Sequence, residues 1–151
     1  MLGVGGRGHH HAVPCTFCEV VAGRLDASTV LEEPDVVGFL DQTPVFKGHV
    51  LVVPRVHHET LLDVPPELMA PLFTAVQRVQ RALMAALDAK GTFVAMNNVV
   101  SQSVPHLHVH VVPRTKGDGL RGFFWPRVKY DGVEEREGYA SRIRGALAEA
   151  Q

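Results

Sequence analysis

Apolar residues recur along this chain in two rhythms, and their order predicts a sheet with one long helix set into it. Thr29 to Glu32 and Val36 to Asp41 read as short strands, parted by a turn at Pro34-Asp35. A second turn signal, Lys47-Gly48, leads into His49-Val50-Leu51-Val52-Val53, a strand stopped by Pro54. From Pro65 to Ala89 the period becomes helical. Leu68, Leu72, Val76, Val79, Leu83 and Leu87 share a face, two prolines suit the first turn, and Gly91 marks the end. Thr92 to Asn97 and Val104 to Val112 return to strand rhythm, the second closed by Pro113. Residues 15–22 predict a short first helix ended by Gly23, and Glu134 to Glu149 a charged amphipathic helix. The segment Lys116 to Arg127, rich in glycine and aromatics, reads as an ordered loop. The expected class is α+β: an antiparallel sheet of about five strands, covered on one side by one long helix and a short N-terminal one.

One strand carries chemistry. In His106-Leu107-His108-Val109-His110 the side chains of a strand alternate between faces. Leu107, Val109 and Val111 then anchor a core, and three imidazoles share the other face and a common pocket. A neutral imidazole can attack phosphorus, and its phosphorylated form is a good leaving group, so covalent phosphoryl or nucleotidyl transfer is open to it. A flanking histidine can hold the tautomer or manage a proton. Isolated strand histidines are ordinary surface or core residues, but packing has no use for three at this spacing.

Other candidates surround this strand. The loop Asn97-Asn98-Val99-Val100-Ser101-Gln102-Ser103 offers amides and hydroxyls that could donate to phosphate oxygens, or form an ordinary polar turn. Asp41, ahead of Gln42-Thr43-Pro44, is equally suited to accept from sugar hydroxyls or to form a turn. Cys15 and Cys18 suit zinc as thiolates, with His57 and one member of the histidine strand completing a tetrahedron. They also have redox-pair spacing, or could be two reduced, buried thiols, though no βαβ pattern surrounds them. Lys116, Arg121 and Arg127, interleaved with Phe123, Phe124 and Trp125, could meet phosphates or a partner subunit, while solvated cations over packed aromatics is the plainer account.

Composition narrows the rest. A chain of 151 residues, 46% hydrophobic, suits one domain with one core. Residues 1–14, Gly-rich and carrying His9-His10-His11, read as a flexible segment. The domain is expected over 15–151, with an extension from about residue 115. Fifteen basic and 16 acidic side chains give a formal net charge of -1, which points away from nucleic acid and membrane surfaces. The N-terminus lacks an apolar signal core and no run is long enough to span a bilayer, so a cytoplasmic location is expected.

With these residues assembled, the chain resembles the histidine triad (HIT) family of nucleotide hydrolases and transferases. The resemblance rests on Gln102-Ser103-Val104-Pro105 followed by His106 to Arg114, on Phe39-Leu40-Asp41, and on Lys47 to His57. The start Cys15-Thr16-Phe17-Cys18 looks like the zinc-bearing bacterial branch. The resemblance implies His108 as the nucleophile at the α-phosphorus, His110 orienting it, and His49 as a fourth active-site imidazole. It implies nucleotide contacts from Asp41 at the ribose, and from Asn97, Gln102 and Ser103. It also implies a structural zinc held by Cys15, Cys18, His57 and His106, and a homodimer whose sheets join. Substrates would be dinucleoside polyphosphates, nucleoside phosphoramidates or other purine nucleotide conjugates. A nucleotide-binding regulator with little turnover is the alternative. Two departures stand out: the family often has Gly before the Gln, here Ser101, and the loop Asn98 to Ser101 is shorter than in many relatives.

Overall fold

The computed structural model describes residues 15–121 and 126–149. They divide into two compact units, one ending at Asp118 and one beginning at Gly119. In the first unit lie helix α1 (Thr16–Val21), strands β1 (Thr29–Glu32), β2 (Val36–Leu40) and β3 (Val50–Pro54), a single 3-10 turn (Leu61–Asp63), helix α2 (Pro66–Leu87), and strands β4 (Gly91–Ala95) and β5 (Val109–Arg114). The second unit contains helix α3 (Val133–Glu149), which buries no residue. The sheet runs β1-β2-β3-β5-β4 and every neighbouring pair is antiparallel. No helix among the described residues is long and apolar enough to cross a membrane.

The sheet has two apolar faces rather than one. Val36, Val50, Val52, Val109 and Val111 pack with Leu107 against Leu68, Leu72, Ala75, Val76, Val79 and Leu83 of α2. Val37, Phe39, Leu51 and Val53 point the other way and pack with Phe17 of α1. The expectation of helices on one side is therefore corrected. The signal was the unbroken apolar run of β3, all five residues of which are buried, where a half-solvated strand would alternate. Burying each such Val or Leu contributes about 1.5–3 kcal/mol.

Boundaries moved where specific backbone groups decide them. α2 stops at Leu87, because Asp88 adopts a left-handed conformation with φ 53°. Gly91 is the first residue of β4 rather than the helix stop. The histidine strand begins at Val109, not Val104, and runs through Pro113, which pairs with Thr92. Residues 104–108 bond elsewhere: His106 N–H donates to the Val104 carbonyl at 2.8 Å and Leu107 N–H to the His58 carbonyl at 2.7 Å. The Lys47-Gly48 turn is tight for a reason. Gly48 has φ 97°, and a Cβ there would sit 2.4 Å from Leu87 Cδ1.

Candidate active site

Strand register lays down the floor of a cleft. Phe39 of β2 pairs with Leu51 of β3, which pairs with His110 of β5. The three residues thus form one cross-strand row on the α1 face, ending in an imidazole. Phe17 closes over it edge-on, 5.3 Å from the Phe39 ring and 5.1 Å from that of His108. The resulting cleft of about 300 Å³ has Phe17, Phe39 and Leu51 as its apolar wall, and Asp41, Ser103, His108 and His110 among its polar lining.

The hydrogen bonds assign the proton on each imidazole. The Val45 N–H donates to His49 Nδ1 at 3.2 Å, so neutral His49 carries its proton on Nε2. That proton is donated to His110 Nδ1 at 2.9 Å, leaving the His110 proton on Nε2. A carbonyl only accepts, so the 2.8 Å contact between His108 Nδ1 and the His106 carbonyl puts the His108 proton on Nδ1. No hydrogen bond among the described residues takes up His108 Nε2, which keeps its lone pair. The His108 and His110 rings lie 4.9 Å apart, edge to face. Burial, with His108 and His49 nearby, pulls His110 down to about 4 against the opposing pull of Asp41. Burial likewise lowers His49. Both are therefore neutral at neutral pH, as the donor chain requires.

The polar loop is braced rather than open. Gln102 Nε2 donates to the Glu59 carbonyl at 2.6 Å, and its Oε1 accepts from Val99 N–H at 3.0 Å. Asn97 Nδ2 donates to the Ser101 carbonyl at 3.2 Å, and Asn98 Oδ1 accepts from Leu61 N–H at 2.8 Å. Neither Asn97 nor Gln102 lines the cleft, whereas Ser103 does. Their amides hold the loop that presents Ser103. Val99 and Ser101 sit at φ 68° and 61°, the left-handed region. A Gly before the Gln would relax there without strain, and here Ser101 occupies that position. Asp41 combines both readings of its sequence context. Oδ1 accepts from Thr43 N–H at 2.9 Å in a turn, and the residue lines the cleft, with Oδ2 3.7 Å from His49 Nδ1.

His106 departs from the expected trio. It is fully buried, does not line the cleft, and joins a second cluster with Cys15, Cys18 and His57. So two of the three imidazoles share the cleft, not three. His106 Nε2 donates to the Pro54 carbonyl at 2.8 Å, which leaves Nδ1 as the lone-pair nitrogen. That atom lies 3.4 Å from Cys15 Sγ and 3.5 Å from Cys18 Sγ, and His57 Nδ1 lies 3.4 Å from Cys18 Sγ. Zinc bonded to thiolate at ~2.3 Å and imidazole at ~2.0 Å sets sulfur and nitrogen about 3.5 Å apart along a tetrahedron edge. The four side chains fit such an ion. Without a cation, burial and the adjacent Cys15 push the Cys18 thiol up to about 11. A bound cation is what favours the thiolate there.

Phe17 and Phe39 are the wall residues that sequence reasoning missed. Phe39 was legible as an alternate of the β2 rhythm, but Phe17 needed the placement of α1. Lys116 is exposed in the first unit, and Arg121 and Arg127 are exposed in the second. His9, His10, His11, Phe123, Phe124 and Trp125 lie outside the described residues.

Residues 22–117 match the HIT domain family. An uncharacterized HIT-like protein of Mycobacterium tuberculosis is 35% identical over 139 residues, 91% of this chain and 95% of that protein. A relative named adenylylsulfatase, from Arabidopsis thaliana, is 29% identical and is matched over 70% of this chain and 55% of its own length. One named adenosine 5'-monophosphoramidase, from Candida albicans, is 26% identical over 74% and 78% of the two chains. Among solved structures, a HIT family member from Bacillus subtilis superposes with TM-score 0.77 at 34% identity, covering 87% of this chain and 95% of that one. A Zn-bound histidine triad family protein from Mycobacterium smegmatis does so with TM-score 0.67 at 35% identity, covering 91% and 97%.

Proposed function

The chain belongs to the HIT domain family, and on that premise we propose that it hydrolyses or transfers at the 5'-phosphoryl group of a purine nucleotide conjugate through a nucleotidylated His108. The observation that carries this reading is the tautomer of His108, protonated at Nδ1 on the His106 carbonyl, with Nε2 free beside the cleft. In the first step the Nε2 lone pair forms a bond to the α-phosphorus, and the bond to the leaving group breaks with its electron pair. The adduct ring becomes cationic, and the His106 carbonyl dipole stabilises it at Nδ1–H. In the second step water adds to phosphorus, the N–P bond returns its pair to Nε2, and nucleoside monophosphate leaves with a proton released to solvent.

The remaining residues have supporting parts. His110 orients His108, and its Nε2–H is available to a phosphoryl oxygen. His49 fixes the His110 tautomer from behind. Asp41 accepts from ribose hydroxyls, and Ser103 donates toward the phosphates. Asn97 and Gln102 act by holding Ser103 in place. Phe17, Phe39 and Leu51 suit the flat apolar faces of a base. The relatives named adenylylsulfatase and adenosine 5'-monophosphoramidase point to an adenosine nucleotide. Cys15, Cys18, His57 and His106 would hold a structural zinc, and four protein ligands would leave it no open position for substrate. A homodimer with joined sheets would cover one of the two edge strands, β1 or β4.

The test is release of AMP from adenosine phosphoramidate, adenylyl sulfate and diadenosine polyphosphates, with trapping of the adduct by mass spectrometry. The reading expects adenylate on His108 in the wild type and none in His108→Ala. A second reading, a nucleotide-binding regulator, is favoured by one observation: the Gln102 amide, a natural donor to a leaving group, is engaged at both ends within the protein and does not line the cleft. Tight AMP binding without turnover of any substrate would decide for it.

A further inference from the structure

We propose that the Cys/His cluster controls the cleft through Phe17, so that a metal ion there raises nucleotide affinity without touching the nucleotide. This rests on the nucleotide reading of the cleft. Helix α1 has six residues, too few to be stable alone. Its backbone hydrogen bonds outside the helix ladder all stay within residues 15–25. What ties it to the rest of the unit is the apolar contact of Phe17, with Val20 and Val21 beside it, and the two thiols that reach His57 and His106. Phe17 stands between those thiols in sequence. Its ring meets His106 at 6.1 Å on the cluster side and His108 at 5.1 Å on the cleft side. Thr16, Phe17 and Val20 form one wall of the cleft. An ion that gathers Cys15 and Cys18 onto His57 and His106 therefore seats the wall and holds the Phe17 ring against the nucleophile. Loss of the ion leaves the short helix held by the apolar contacts of Phe17, Val20 and Val21 alone and loosens the wall. A second route runs through His106 itself, whose side chain belongs to the cluster and whose carbonyl holds the His108 proton. Phe17 is thus a positioning residue.

Coupling of this kind is reciprocal. AMP is expected to bind about tenfold tighter to zinc-loaded than to chelator-treated protein, and zinc about tenfold tighter when AMP is present. Protein loaded with Co²⁺ gives a second readout that needs no metal removal, because its visible d–d bands report the cluster directly. Those bands should shift as AMP is added. Phe17→Leu keeps an apolar side chain and should still take up one Co²⁺, while the affinity factor falls toward one and the band shift shrinks. Equal AMP affinity with and without metal, together with d–d bands that AMP leaves unmoved, overturns the proposal. If AMP binds neither form, the nucleotide reading fails instead, and the coupling is decided without ligand by ¹⁵N NMR of the imidazoles. The Nδ1–H tautomer of His108 should dominate in metal-loaded protein and give way to a mixture in metal-free protein. The same tautomer in both forms overturns it.

Discussion

His106 and His108 are two residues apart on one segment, yet they belong to opposite kinds of site. His106 gives its Nε2 proton to the Pro54 carbonyl and turns Nδ1 toward two thiols and a second imidazole. His108 gives its Nδ1 proton to the His106 carbonyl and keeps Nε2 beside an open cleft. In each case a backbone carbonyl selects the tautomer, and the other nitrogen is what the site can use. The cluster around His106 has four converging ligand side chains, so its chemistry is closed. The pair His108 and His110 leaves one lone pair unspent, so its chemistry is open. Residue type does not separate these sites; the acceptor behind each ring does.

Removing the open nitrogen is the strongest way to break that contrast. His108→Ala should cut AMP release by on the order of 10⁴-fold or more, because no neighbouring group supplies an equivalent nucleophile. Single-turnover AMP release would measure it, with AMP binding retained within a few fold. Turnover that persists at a tenth of the wild-type rate would move the nucleophile elsewhere and end the assignment.

The closed site should answer through stability instead. We expect about one equivalent of zinc per chain, and a melting temperature that falls by on the order of 10 °C when it is chelated from reduced protein. Differential scanning calorimetry with and without chelator is the measurement. A melting temperature indifferent to chelation would mean that the four side chains are satisfied without an ion.

Proton linkage sharpens the contrast further. His110 titrates at about 4 in the folded chain because burial, His108 and His49 disfavour its charged form. An unfolded His takes its proton near 6.5. Between those values the unfolded chain binds the extra proton, so stability falls as pH drops from about 6.5 to about 4. Above that window both states are neutral at this residue, and below it both are charged, so the contribution is level. His49, lowered by burial, adds in the same direction. His110→Asn should flatten the slope of unfolding free energy against pH in this window, as read from urea titrations. It should also slow turnover by about 10²-fold through loss of orientation of His108.

The sequence made the two ends of this contrast legible to different degrees. Alternation alone placed Leu107, Val109 and Val111 in the core and the histidines opposite them, and the structure agrees. It could not tell that residues 104–108 leave the ladder, because that depends on the His58 carbonyl, contributed from nearly fifty positions earlier. Nor could periodicity separate His106 from His108, since both lie on one face. The thiols of α1 draw His106 to one side, and they are distant in sequence. Gln102 illustrates the same limit. Its motif marks a functional loop, but its two hydrogen bonds, to Glu59 and Val99, are facts of tertiary packing. The apolar run of β3 did carry the signal for a second buried face.

Two glycine-type positions give smaller effects, and they test the scaffold that holds the two sites apart. Gly48 precedes His49, with φ 97° and Leu87 Cδ1 only 2.4 Å from where a Cβ would stand. Gly48→Ala should destabilise by about 1–3 kcal/mol, from left-handed strain and the displaced leucine together. Chemical denaturation would show it as a lower midpoint with an unchanged slope.

Ser101 is the converse case and the smallest effect. It holds φ 61° in the loop that carries Gln102 and Ser103, and its carbonyl accepts from Asn97. A glycine adopts that conformation without the steric cost of a Cβ, about 1 kcal/mol, but loses more entropy on folding. Ser101→Gly should therefore stabilise by at most about 1 kcal/mol, a small rise in the denaturation midpoint. Because the loop is held by amides that survive the change, AMP binding should stay within twofold. A larger fall in affinity would show that the Ser101 side chain itself meets the ligand, placing a polar contact on the open side of the comparison.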